Sequence, residues 1–128
     1  MNALSFMYVA FGGAFGAMCR YAVMSFIGRM SETPFPYGTL AVNIFGSFLM
    51  GIWIGVMALW LPERQKDLHL LIAVGALGGF TTFSAFSLDA FMLMDRGMHV
   101  QALVYMLVSV IVSVLALFGG MALMRAAA

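Results

Sequence analysis

Hydrophobic residues gather into four long runs along this chain, at residues 4–27, 38–61, 68–94 and 100–124, separated by short polar stretches. Each run supplies the roughly 20 apolar residues that a helix needs to cross the hydrocarbon of a bilayer. The pattern therefore predicts an all-α membrane protein of four transmembrane helices. The first separator holds Arg29, Glu32, Pro34 and Pro36, and prolines there end helices and set a turn. The second, Pro62-Glu63-Arg64-Gln65-Lys66-Asp67, collects four of the eleven acidic and basic side chains, and Asp95-Arg96-Gly97 forms the third. The fourth run stops at Arg125, so residues 1–128 read as a single four-helix transmembrane domain. The first run lacks the positively charged leading region of a cleavable signal peptide.

The third run is interrupted by Gly78-Gly79-Phe80-Thr81-Thr82-Phe83-Ser84-Ala85-Phe86-Ser87, an uncharged stretch at the depth where a bilayer is driest. Glycines, adjacent threonines and closely spaced phenylalanines make poor continuous helix. Irregular backbone at that depth is tolerated only where protein or a polar cavity surrounds it. A break in the third helix is thus predicted, with an ion or substrate path beside it, and the chain reads as a transporter or channel.

Composition narrows this reading. The chain is 64% hydrophobic and 9% charged, where a soluble domain carries about 25% charged residues. Its net charge of +1 offers no basic face to nucleic acid, and its one cysteine, Cys19, has no partner for an internal disulfide and reads as a small packing residue. No charged pair, metal-ligand cluster or nucleophile with a base stands at useful spacing, which argues against an enzyme. Four spans put both termini and the second loop on one side with Arg64, Lys66 and Arg125, against Arg29 and Arg96 on the other. Three positive charges against two give weak orientation. Two readings stay open: a single orientation fixed by the second loop, or insertion both ways to give an antiparallel dimer. Gly12 and Gly16, Gly51 and Gly55, and Gly75 and Gly79 each repeat at a spacing of four, which lets helix backbones approach.

Polar groups inside the spans carry the functional reading, because each is costly in hydrocarbon unless it faces protein or water. Arg20 costs roughly 2.5–3.5 kcal/mol near a helix centre, so it needs an anion, carbonyls or a route to the interface. It stands seven residues before Ile27, about 10 Å at 1.5 Å per residue, within snorkelling reach. The alternative is an electropositive vestibule. Thr39, Asn43 and Ser47 recur every four residues and line one helical face; Tyr105, Ser109 and Ser113 do the same in the fourth run. Asn43 can donate to an anion without carrying charge, and hydroxyls rotate to suit. Phe83 and Phe86 sit among hydroxyls, where their electropositive ring edges can face an anion. Carbonyls released by the break at Gly78 and Thr81 can coordinate a cation. Asp89 has no assigned role beyond a carboxylate pairing with a neighbour near the interface, and His69 and His99 are ordinary interfacial rings.

These residues together resemble the CrcB/Fluc fluoride channels over nearly the whole chain. The resemblance rests on Arg20, on Tyr37-Gly38-Thr39-Leu40-Ala41-Val42-Asn43, on the Gly-Gly-Phe-Thr-Thr-Phe-Ser-Ala-Phe-Ser break, and on Tyr105, Ser109 and Ser113. It implies an antiparallel dual-topology homodimer in a bacterial inner membrane, with two fluoride pores and a structural sodium ion (Na+) at its centre. By position, Gly78 and Thr81 would supply the sodium carbonyls and Arg20 the vestibule arginine. Phe83 and Phe86 would be the pore phenylalanines, Asn43 the pore amide, and Tyr105, Ser109 and Ser113 the polar track, with Thr39 beside them. Asp89 stands where similar chains carry a glutamate.

Two other readings compete. A small multidrug exporter of cationic compounds has four spans and dual topology, but needs a glutamate within the first span, where this chain has Arg20 and no acid. A passive subunit of a larger membrane assembly explains the glycines but not two polar stripes flanking a broken helix.

Overall fold

A computed structural model describes residues 2–60 and 65–128; of the second loop, Pro62, Glu63 and Arg64 lie outside the described residues. Helix α1 (Ala3–Met30) starts where the Asn2 side chain accepts the Ser5 N–H, and ends where Ser31 turns extended. Pro34 and Pro36 break the helical path before α2 (Tyr37–Trp60). The third span, Lys66–Asp95, is a composite. It is built from α3 (Gln65–His69), which starts one residue before it, a π-helical stretch (Leu70–Leu77), then α4 (Gly78–Phe80) and α5 (Phe83–Asp95). Gly97, at φ 75°, makes the left-handed turn into α6 (His99–Ala126).

Four spans are therefore long and apolar enough to cross a membrane: Ala3–Met30, Tyr37–Trp60, Lys66–Asp95 and His99–Ala126. The protein is an all-α, multi-pass membrane protein with a bend in its third span. Helices extend one to three residues past the apolar runs at most ends, because Met30 or Lys66 suits helix as well as an interior residue does. Large apolar side chains face outward along every span, as lipid contact requires; Phe11, Val100 and Leu115 are all more than half exposed.

Two glycine-lined crossings hold the bundle. At the first, α1 meets the π-helical stretch and α4, and a Cβ at Gly12 would collide with the Leu71 carbonyl, one at Gly16 with the Ala76 carbonyl. Gly75 and Gly79 face back onto Gly12 and Gly13. At the second, α2 meets α6, with Gly51 against the Leu117 carbonyl and Gly120 against the Phe48 carbonyl. The three glycine pairs are thus used within one chain, and Gly120 completes the set from the facing helix. Such spacing lets backbones come together where a side chain would hold them apart. The wide π turn lies where α1 approaches closest.

The expected break is narrower than its sequence. Only Thr81 (ψ 160°) and Thr82 (φ −153°) leave the helical region; Gly78–Phe80 and the residues after Thr82 are helical. Gly79 stays in helix packed on the Gly13 backbone, whereas the Thr82 hydroxyl takes the Ala85 N–H that a continuing helix would give to the Thr81 carbonyl.

Candidate functional site

The break is built from side-chain hydrogen bonds. Thr81 Oγ1 donates to the Leu77 carbonyl at 3.1 Å, closing the helix before the break. Thr82 Oγ1 accepts the Ala85 N–H at 3.1 Å and caps α5. Asn43, from α2, grips the extended backbone between them: its Oδ1 accepts the Thr82 N–H at 2.8 Å, and its Nδ2 donates to the Thr82 carbonyl at 3.0 Å. This two-point contact satisfies backbone groups that a bilayer would otherwise leave bare. It also leaves one Nδ2 hydrogen of Asn43 uncommitted.

Beside this clamp lies a cavity of about 280 Å³ lined by Asn43, Ser47, Thr82, Phe83, Phe86, Ser109 and Ser113, with Thr81, Val110 and Val114 completing the wall. None of these side chains is charged. The Oγ atoms of Ser109 and Ser113 are buried without a hydrogen-bond partner, an unusual state for buried hydroxyls. The ring of Phe86 sits between two others, 5.3 Å from Phe83 and 5.3 Å from Tyr105. Phe83 itself is 77% exposed, so the chain leaves one wall of the cavity open.

Five of the seven residues expected along the pore, Asn43, Phe83, Phe86, Ser109 and Ser113, thus come together around one volume, with Ser47 and Thr81 beside them. Thr39 and Tyr105 do not line it. Both are buried around Asp89, whose Oδ2 accepts the Thr39 hydroxyl at 2.6 Å and the Tyr105 hydroxyl at 3.3 Å. The faces expected from the spacing of four are present, but each stripe changes partners at the level of Asp89. Arg20 is ten residues from the end of α1, about 15 Å along the axis. Its guanidinium does not run to the interface: Nη1 donates to the Thr81 carbonyl at 3.2 Å.

Thr82 is the functional residue that sequence reasoning passed over. The signal was present, since a threonine followed by Phe-Ser-Ala-Phe is a helix N-cap pattern. The role of Asp89 had no local signal, because its partners lie 50 and 16 residues away.

The carbonyls of Gly78 and Thr81 fit a hard cation. In an unbroken helix they would accept from Thr82 and Ala85, but those N–H groups go to Asn43 Oδ1 and Thr82 Oγ1. Gly78 is exposed, and Thr81 keeps a second lone pair beside the one Arg20 uses. One chain offers two such oxygens. Among the described residues no three His, Cys, Asp or Glu side chains gather as a metal site.

Comparison with known proteins places this architecture among relatives. Residues 7–121 match the family model described as CrcB-like protein, Camphor Resistance (CrcB). The chain is 50% identical over 119 residues to the fluoride-specific ion channel FluC of Chelativorans sp. (strain BNC1), covering 93% of this chain and 94% of that one. It is 47% identical over 120 residues to the protein of that name from Rhizobium johnstonii, covering 94% and 95%. A third, from Hahella chejuensis, is 44% identical over 125 residues and covers 98% of each chain.

Proposed function

The chain belongs to the CrcB-like family, and on that premise we propose that it is a fluoride-selective ion channel that lets fluoride leave the cell down its electrochemical gradient, and not an enzyme. The observation that carries this reading is the uncharged cavity at the helix break, with two partnerless serine hydroxyls facing an amide and phenylalanine rings. Fluoride is small and tightly hydrated, so a path for it must replace water without holding the ion. Several weak neutral donors in sequence favour both uptake and release. In this reading Arg20 draws anions to the vestibule, while Asn43, Phe83, Phe86, Ser109 and Ser113 handle the dehydrated ion. Thr39 and Tyr105, whose hydroxyl hydrogens go to Asp89, stand at the end of that row.

The working unit in this proposal is an antiparallel, dual-topology homodimer with two pores. Support comes from the near balance of Arg29 and Arg96 against Arg64, Lys66 and Arg125. Further support comes from the exposure of Gly78, Phe83, Ser84 and Ser87 in the third span, where polar groups facing lipid are costly. A second copy would cover that face and close the cavity. It would also bring a second pair of Gly78 and Thr81 carbonyls, and the four oxygens would hold a structural sodium ion that neutralises their combined negative ends. A bacterial inner membrane is the proposed location.

Fluoride efflux from proteoliposomes tests the function, with chloride as the paired control and a potassium ionophore balancing charge. Rapid release of fluoride with little chloride is the expected result. Phe83→Ile should slow fluoride release by about tenfold or more if the ring edge serves the ion. No release from verified wild-type dimer would overturn the reading.

A further inference from the structure

Asp89 lies on α5 one turn beyond Phe86, with the Thr39 hydroxyl of α2 and the Tyr105 hydroxyl of α6 both directed at its Oδ2. A carboxylate accepts only, and each hydroxyl has a single hydrogen. With those hydrogens given to Asp89, neither Thr39 nor Tyr105 has one left for a passing anion. On the same face of α6 as Tyr105, Ser113 keeps its hydrogen uncommitted, and Ser109 makes no hydrogen bond of ordinary geometry although its hydroxyl stands next to that of Tyr105. Asp89 therefore divides the hydroxyl row into a committed end and a free end. The Tyr105 ring it holds is fully buried and lies against Phe86, which lines the cavity.

We propose, resting on the channel reading, that Asp89 is a positioning residue of the ion path. Its Oδ2 ends the donor row at Ser109 and, through the Tyr105 hydroxyl, fixes the ring against which Phe86 packs at the cavity wall. The function asked of Asp89 is acceptance of two hydrogen bonds. Its other surroundings are the small cavity of about 80 Å³ that it shares with Pro34, Pro36 and Arg96, so the cluster sits between the cavity in the break and the loop side of the bundle.

The test compares Asp89→Asn, Asp89→Ala, Tyr105→Phe and the double variant Asp89→Ala/Tyr105→Phe in the fluoride efflux assay. Asn retains an acceptor oxygen, so Asp89→Asn should stay within about threefold of wild type, while Asp89→Ala and Tyr105→Phe should each lose about tenfold or more. The double variant should be no slower than either single one, because all three break the same link. Equal loss in Asp89→Asn and Asp89→Ala would overturn the proposal by assigning the effect to charge. Unchanged flux in Asp89→Ala, or multiplied losses in the double variant, would overturn it as well. Should Asp89→Ala fail to fold, Tyr105→Phe and Asp89→Asn still decide it: loss in the first with retention in the second is required. A thermal-unfolding cycle across Asp89 and Tyr105 in detergent reads the link without flux. If wild type passes no fluoride but the cycle shows coupling, the channel reading fails and the link stands; if wild type conducts and the cycle is additive, the link fails alone.

Discussion

The two halves of the third span, either side of Thr81 and Thr82, are held in the protein by opposite means. Before the break, the π-helical stretch and α4 lie on α1 with main chain against main chain at Gly12, Gly16, Gly75 and Gly79. After the break, α5 is tied by polar side chains, from Asn43 to Thr82 and from Thr39 and Tyr105 to Asp89, and Phe83 stays 77% exposed. A glycine seam tolerates almost no displacement, because packed backbone has nowhere to move. Side-chain hydrogen bonds tolerate small shifts, and they leave donors over. The first half fixes where the break stands, and the second offers groups that an ion can use.

The largest expected effect comes from filling the rigid half. A side chain at Gly16 would meet the Ala76 carbonyl and the Phe80 amide, both main chain, so no rotamer change relieves it. Gly16→Val should destabilise the protein by about 3 kcal/mol or more, read as lost monodisperse protein or a depressed melting temperature in detergent. Gly28→Ala is the control on the same helix, since nothing lies within 4 Å of a Cβ there. It should be neutral, or stabilising by up to about 1 kcal/mol through helix propensity. If both glycines tolerate substitution alike, the rigid seam is not what holds the first half.

Next in size is the clamp that joins the halves. Asn43→Ala strips partners from the Thr82 N–H and carbonyl, and Thr82 is 8% exposed. Leaving buried backbone groups unpaired should cost about 1–3 kcal/mol for each. Fluoride flux should fall along with stability, because the same amide also carries the uncommitted hydrogen. A loss of flux at unchanged melting temperature would assign Asn43 to the ion alone and remove it from the scaffold.

How much of this was legible beforehand follows from the range of each interaction. Four spans and the two polar faces follow from periodicity, because lipid dictates composition over about 20 residues at a time. The break was legible in kind, since consecutive threonines shortly after a glycine pair weaken helix. Its confinement to Thr81 and Thr82 was not, because Gly79 is packed on Gly13 of α1, 66 residues earlier. The π turn of Leu70–Leu77 left no mark in a run of ordinary apolar residues. At the site, Asn43, Phe83, Phe86, Ser109 and Ser113 were selected by residue type and do share one cavity. Thr39 and Tyr105 were selected by the same spacing, yet their hydrogens go to Asp89. Spacing assigns a residue to a face of a helix; which partner on another helix takes its hydrogen is decided only when the helices pack.

The smallest expected effect tests the comparison most sharply, because it separates donors that build the second half from donors the second half leaves over. Ser109 is 5% exposed and its hydroxyl has no partner, whereas the Thr82 hydroxyl caps α5. Removing an unpaired buried hydroxyl removes a desolvation cost, so Ser109→Ala should leave stability unchanged or raise it by up to about 1 kcal/mol. Thr82→Ala should lower it by about 0.5–2 kcal/mol through the lost cap. Fluoride efflux should nevertheless fall in Ser109→Ala, since an uncompensated hydroxyl in a fold held this tightly is retained for something that visits it. Opposite signs of the two readouts in a single variant identify a group kept for the ion. If Ser109→Ala lost stability and kept its flux, Ser109 would belong with Thr82 among the groups that hold α5, and the free end of the hydroxyl row would shrink to Ser113.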